Sequence, residues 1–155
     1  MKKLIAVMAI LSAGAVSSFA AESSFGKFSL FDQVCVPQVE TVKGLELGII
    51  YSNTPKLTGL QYTFIYGKVQ ELKGVQMSLV SSADKASGLQ WSAVNITKDM
   101  SGAQFGWVNY AESFSGLQFG LINYTKEMRS GLQLGILNII RNSKLPFMVI
   151  ANAKF

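Results

Sequence analysis

The sequence predicts an all-β repeat array, with a β-solenoid as the favoured architecture. Three observations predict it. Glycine-led units recur every 14 or 15 residues from Gly44 to about residue 140. Each unit alternates large apolar residues with polar or small ones at a period of two, the mark of an extended strand with one buried face, here expected to be the apolar one. The unit length is nearly uniform, as stacked coils of one perimeter require.

The units open at Gly44, Gly59, Gly74, Gly88, Gly102, Gly116 and Gly131. Counting from each glycine turns the sequence into columns. The second column is Leu, Val or Ala. The third is Glu46 followed by Gln61, Gln76, Gln90, Gln104, Gln118 and Gln133. The fourth is large and apolar (Leu47, Tyr62, Met77, Trp91, Phe105, Phe119, Leu134), and the fifth is always Gly, Ser or Thr. A helix does not accommodate this alternation, and the β-branched or leucine seventh column again favours strand. Columns six and seven are both apolar, so strict alternation breaks there and the chain is expected to bend. Asn95, Asn109, Asn123 and Asn138 occupy the eighth column. Tyr66 and Ser81 stand there in the units of Gly59 and Gly74, so an asparagine ladder is interrupted at those layers. One apolar residue (Leu57, Leu72, Ala86, Met100, Phe114 or Met128) lies two or three places before the next glycine and is expected to fold onto the core.

In a solenoid, layers about 4.8 Å apart place like residues on like, so Gln and Asn columns can become hydrogen-bonded ladders while the apolar columns supply a continuous core. The alternative is an eight-stranded outer-membrane β-barrel, with the seven units plus a final strand Phe147 to Phe155 that ends on an aromatic. Against the barrel, columns two to six span only about 13 Å before tilt, and the eighth-column asparagines would face lipid.

Around the repeats the chain divides into a leader (1–20), an N-terminal cap (21–43), the seven units (44–140) and a C-terminal strand or cap (141–155). The leader has Lys2 and Lys3, an apolar run from Leu4 to Val16, and Ser18-Phe19-Ala20 as a small-x-small cleavage site, so removal before Ala21 is expected. The run is shorter than the about 20 residues a membrane helix needs. The remaining 135 residues make one domain with room for a modest core. Without the leader, twelve basic residues face nine acidic ones, a scattered excess that does not form a nucleic-acid footprint.

The chemistry-bearing residue types are sparse. There is no histidine, which removes the commonest general base and the commonest metal ligand. Cys35 is the single cysteine, so no intramolecular disulfide forms, and its setting between Val34 and Val36 reads as a small hydrophobe. Asp84, Asp99, Glu112 and Glu127 recur near turns beside Lys85, Lys98 and Lys126, a pattern of paired charges more than a calcium loop. No catalytic residue, cofactor site or metal site is assigned. The glutamines Gln61, Gln76, Gln90, Gln104, Gln118 and Gln133 form the one candidate interaction face, weighed against the plainer reading that each satisfies its neighbours.

The Gly-Leu-Gln-x-Gly-x-x-Asn units, clearest at Gly116 to Asn123, resemble those of the surface-repeat proteins of several bacterial groups, a largely uncharacterised family. The resemblance covers residues 44 to about 140, and the segment Leu145 to Phe155 is similar to the ends of such proteins. It implies export and a periplasmic, outer-membrane or surface location, and it brings no catalytic residues. The expectation is a non-enzymatic exported protein with a structural or interaction role. Its partner would be an envelope protein, a glycan or a second copy of itself, with a small integral outer-membrane barrel as the alternative.

Overall fold

The computed structural model describes residues 21–31 and 34–155. The leader and the cleavage site before Ala21 lie outside the described residues. Seven strands form one sheet: β1 (Ala21–Phe31), β2 (Val34–Val36), β3 (Val39–Gly48), β4 (Tyr51–Phe105), β5 (Val108–Phe119), β6 (Ile122–Ile140) and β7 (Phe147–Lys154). They lie in the order β2-β1-β3-β4-β5-β6-β7. β4 runs through several coils without a break, because the chain turns corners while keeping its ladder bonds. Pairing from β1 through β6 is parallel, and equivalent residues sit on one another: Gly44 on Gly59, Gln104 on Gln118, Asn109 on Asn123, Gly116 on Gly131. This is the β-solenoid.

The barrel alternative does not hold. Its strands would pair antiparallel and close on themselves, whereas here the long pairings are parallel and the sheet stays open from β2 to β7. Both ends are finished by antiparallel strands, β2 on β1 and β7 on β6. β7 covers much of the last wall's ladder groups, which a bare terminal coil would offer to another chain, whereas β2 covers only Phe28, Ser29 and Phe31 of β1.

Each coil has two corners. One is the opening glycine, whose φ lies between 131° and 143° in all seven units. That region is closed to residues with a Cβ. A Cβ at Gly59, Gly74, Gly88, Gly102, Gly116 or Gly131 would also strike the carbonyl oxygen of the preceding unit's glycine. The other corner falls at positions five to seven, seen as bends at 49–50, 106–107 and 120–121. It is the break in alternation made real.

The alternation is present but its sense is opposite to expectation. Columns two and four, expected in the core, point outward: Leu45, Leu47, Leu60, Tyr62, Trp91 and Phe119 are exposed. The third column is inside, with all six glutamines at 0% exposure. The physical reason is width. Fourteen residues at about 3.3 Å give a contour of about 46 Å, and a loop that short, flattened into two walls, holds one shared layer of side chains. Indoles and phenyl rings from both walls would overfill it, whereas amides stacked at the layer spacing bond to one another, which offsets the cost of taking them out of water. The apolar part of the interior is a narrower strip, with Leu57, Leu72, Ala86, Met100, Phe114 and Met128 all buried. These six residues do fold inward, as the sequence led one to expect.

Candidate functional site

The six glutamines do not form an exposed interaction face, because the coil turns them into its interior. They form a continuous ladder. Each Nε2 donates to the Oε1 of the unit before it: Gln76 to Gln61 at 2.8 Å, Gln90 to Gln76 at 2.9 Å, Gln104 to Gln90 at 2.8 Å, Gln118 to Gln104 and Gln133 to Gln118 at 2.7 Å. The first rung is Gln61 Nε2 donating to the Glu46 carboxylate at 3.0 Å. A carboxylate only accepts, so Glu46 obliges Gln61 to present its NH2 group and thereby sets the direction of the ladder. At the other end the Oε1 of Gln133 is buried without a hydrogen-bond partner.

Glu46 is fully buried, and it also accepts from Ser52 and from Thr54 Oγ1, the latter at 2.6 Å. Lys27 lies above it in the same column, paired in register with Glu46. Its ammonium sits 3.5 Å from the carboxylate and donates to the Asn53 carbonyl at 2.7 Å and to Thr54 Oγ1 at 2.8 Å. The cap is therefore keyed to the first coil by a buried, hydrogen-bonded ion pair.

A second ladder runs the opposite way. Asn95 Nδ2 donates to Asn109 at 2.8 Å, Asn109 to Asn123 at 2.8 Å, and Asn123 to Asn138 at 2.9 Å. The dipoles of the two amide columns oppose one another. Each of the first three asparagines also reaches a fourth-column carbonyl of the next unit, Phe105, Phe119 or Leu134. Glycine in the fifth column makes this possible, since a Cβ at Gly106, Gly120 or Gly135 would press on the asparagine amide of the unit before. The Gly74 unit, which lacks the asparagine, uses hydroxyls instead, with Ser78 and Ser81 bonded to each other and to Ser92 of the next unit. In units four and six, Thr97 and Thr125 reach across to Gln90 and Gln118.

With the polar groups turned inward, the outer surface divides sharply. In all seven units, positions one to seven carry a single charged residue, the buried Glu46. The convex corner exposes Ile49, Phe64, Leu79, Trp107, Leu121 and Ile136 in the sixth column, flanked by the exposed members of columns two, four and seven. Beyond the ridge lie half-buried tyrosines stacked between layers, Tyr51 on Tyr66 at 5.3 Å and Tyr110 on Tyr124 at 5.4 Å.

The charges occupy the opposite arc. Lys98 pairs with Asp84 at 2.7 Å, Lys126 with Glu112 at 2.8 Å, and Arg129 with Asp99 at 2.8 Å, each pair joining different coils. The hydrogen bond from Lys126 holds the Glu112 carboxyl below its ordinary value and raises Lys126 in turn, while Asp84 raises Lys98. Asp84, Asp99 and Glu112 thus serve as partners to cations, the paired-charge arrangement, but on strands β4 and β5 and not on turns, because the ladder bonds continue through this part of the coil. Two open troughs of about 550 and 220 Å³ lie on this arc, bordered by Lys73, Lys85 and Asp99 in one and by Lys56, Glu71 and Asp84 in the other. No group of three or more acidic or thiol ligands gathers among the described residues. Cys35 is half-buried on β2.

Sequence reasoning missed the ridge, because it assigned the large apolar columns to the core. One available signal was the complete lack of exposed charge over positions one to seven. No family model, curated protein or solved structure matches this chain.

Proposed function

We propose that this chain is a non-enzymatic, exported module of the bacterial envelope whose role is structural or interaction-based, exerted through its outer apolar ridge. The observation that carries this reading is the division of the coil's outer surface into an uncharged apolar arc and an ion-paired polar arc. A row of exposed apolar residues rimmed by polar ones is a mark of an interaction site. The buried amides support a scaffold role, since each interior glutamine of the ladder both donates and accepts and its polar groups are spent on holding layers together. The leader pattern and the likeness of the units to bacterial surface repeats support export.

Fractionation of cells producing an epitope-tagged full chain tests this reading. The expected result is a processed product, shortened at Ala21, in the envelope fraction. Unprocessed protein in the cytoplasm would overturn it.

A further inference from the structure

We propose that the apolar ridge is a bilayer-docking surface, on which the solenoid lies with its long axis parallel to the membrane and sinks its sixth column into the boundary between headgroups and acyl chains. The proposal deepens the envelope reading above and rests on it. Three observations carry it.

The first is the order of chemistry around the coil. On the flank beyond the seventh column, apolar residues give way in four layers to tyrosines, at Tyr51, Tyr66, Tyr110 and Tyr124, and then to charged residues. A protein lying in a membrane interface needs that sequence: apolar surface at acyl depth, amphipathic rings at headgroup depth, charges in water.

The second is shape. Within the seven units the most exposed apolar residues, Trp107 at 68%, Ile136 at 67% and Phe64 at 66%, sit on the convex corner and not on a flat wall. Two convex ridges cannot be laid together with the complementarity of a stable protein interface, whereas a fluid lipid surface conforms to either flank.

The third is area. The flat wall from position two to position five is about 10 Å wide, and seven layers extend about 29 Å, giving about 300 Å² in projection. That is well below the roughly 800 Å² each partner contributes to a standard dimer. A second copy is thus the poorer occupant.

The chain reports on the ridge directly, because its two tryptophans, Trp91 and Trp107, both lie there. The experiment uses the chain purified from Ala21 onward, which contains the whole array, mixed with vesicles of phosphatidylcholine or of phosphatidylethanolamine and phosphatidylglycerol. Tryptophan emission is expected to shift to the blue with both lipid mixtures, to be quenched by lipids brominated on the acyl chain, and to change little in high salt, since the docking arc is uncharged. Phe64→Lys and Ile136→Lys place a charge on exposed sites of the ridge, so the fold is retained, as circular dichroism checks. Each is expected to weaken partitioning by about tenfold or more.

Several results would overturn the proposal. One is the absence of a lipid-dependent shift; another is undiminished partitioning of the two lysine variants. Binding confined to anionic vesicles and released by salt would assign docking to the charged arc. Blue-shifted emission without lipid, rising with concentration together with a dimer in sedimentation, would assign the ridge to a second copy. Any of these results for a chain that fractionates with the envelope refutes the docking proposal and leaves the envelope reading standing.

Discussion

Replacing Lys27 by Met, and Glu46 by Gln, tests whether the N-terminal layer is locked by a buried ion pair. The two groups are 3.5 Å apart and nearly or fully buried. At an effective dielectric of 20 their attraction is about 5 kcal/mol, most of it offset by the loss of hydration on burial. Removing one partner therefore removes more than the pair contributes, because the other charge stays buried, and a loss of about 3–5 kcal/mol is expected for either single change. The two are not equivalent. After Lys27→Met the carboxylate keeps donors from Ser52, Thr54 and Gln61; after Glu46→Gln the ammonium keeps only the neutral acceptors of Asn53 and Thr54. Glu46→Gln is thus the more damaging single change. The double variant extends the amide ladder by one rung, removes both charges, and is expected to return to within about 1 kcal/mol of the parent. Urea unfolding measures the cycle, and hydrogen exchange over residues 44–54 checks it locally, since a terminal coil can open without the rest. The reasoning is refuted if Glu46→Gln costs under about 1 kcal/mol, or if the double variant is as unstable as the worse single one.

Other changes probe other layers. Gly102→Ala combines a φ of 134° with a Cβ directed at the Gly88 carbonyl, and should lower stability by about 3 kcal/mol in urea unfolding; Gly26→Ala, whose nearest neighbour would be 3.6 Å away, should be nearly silent. Gln104→Leu leaves the Gln118 amide without its acceptor, at about 1–3 kcal/mol, measured in the same way. Ile150 is a β-branched residue at φ 73°, so Ile150→Asn should raise the urea midpoint by up to about 1 kcal/mol of stability. For pH, the Glu112 carboxyl is held below its ordinary value near 4.5. The stability it adds is therefore present above that pH and disappears as the pH falls through its lowered value; the share from Lys126 is present below about 10.5 and disappears as the pH rises past its raised value. Glu112→Gln should remove the acid-side loss and, because Glu112 is the main cause of the raised Lys126 value, flatten the alkaline-side loss as well in a stability-against-pH series; both changes should be small because the pair is exposed.

The unit length, the layer register, a bend around the sixth position and the inward Leu, Met and Phe strip were all legible in the sequence, because each leaves a periodic trace. The polarity of the coil was not. Hydrophobicity alone places Trp91 and Phe119 inside, and only the narrow contour of a 14-residue coil reverses that assignment. Identity, not hydropathy, was the better guide. A solvated column tolerates any polar residue, whereas a ladder of side chains bonded end to end needs the same amide at each rung, as in Gln61 through Gln133. The pairing of Gly106, Gly120 and Gly135 with the asparagine of the preceding unit was likewise present in the sequence, but its reason lies in a contact between neighbouring layers that no single unit contains. Lys27 was hidden for the same cause: its place above Glu46 depends on β1 stacking as an additional layer 19 residues earlier, outside the repeat spacing.

Because each interior layer offers the next one the same glutamine amide and the same opening glycine, the glutamine ladder has no preferred number of middle layers. Only its two termini are singular: one carries an acceptor that cannot donate, the other a returning strand. Growth or shortening by whole turns therefore leaves the remaining rungs of that ladder unchanged, and such a chain can match its reach to its surroundings by copying or losing a segment.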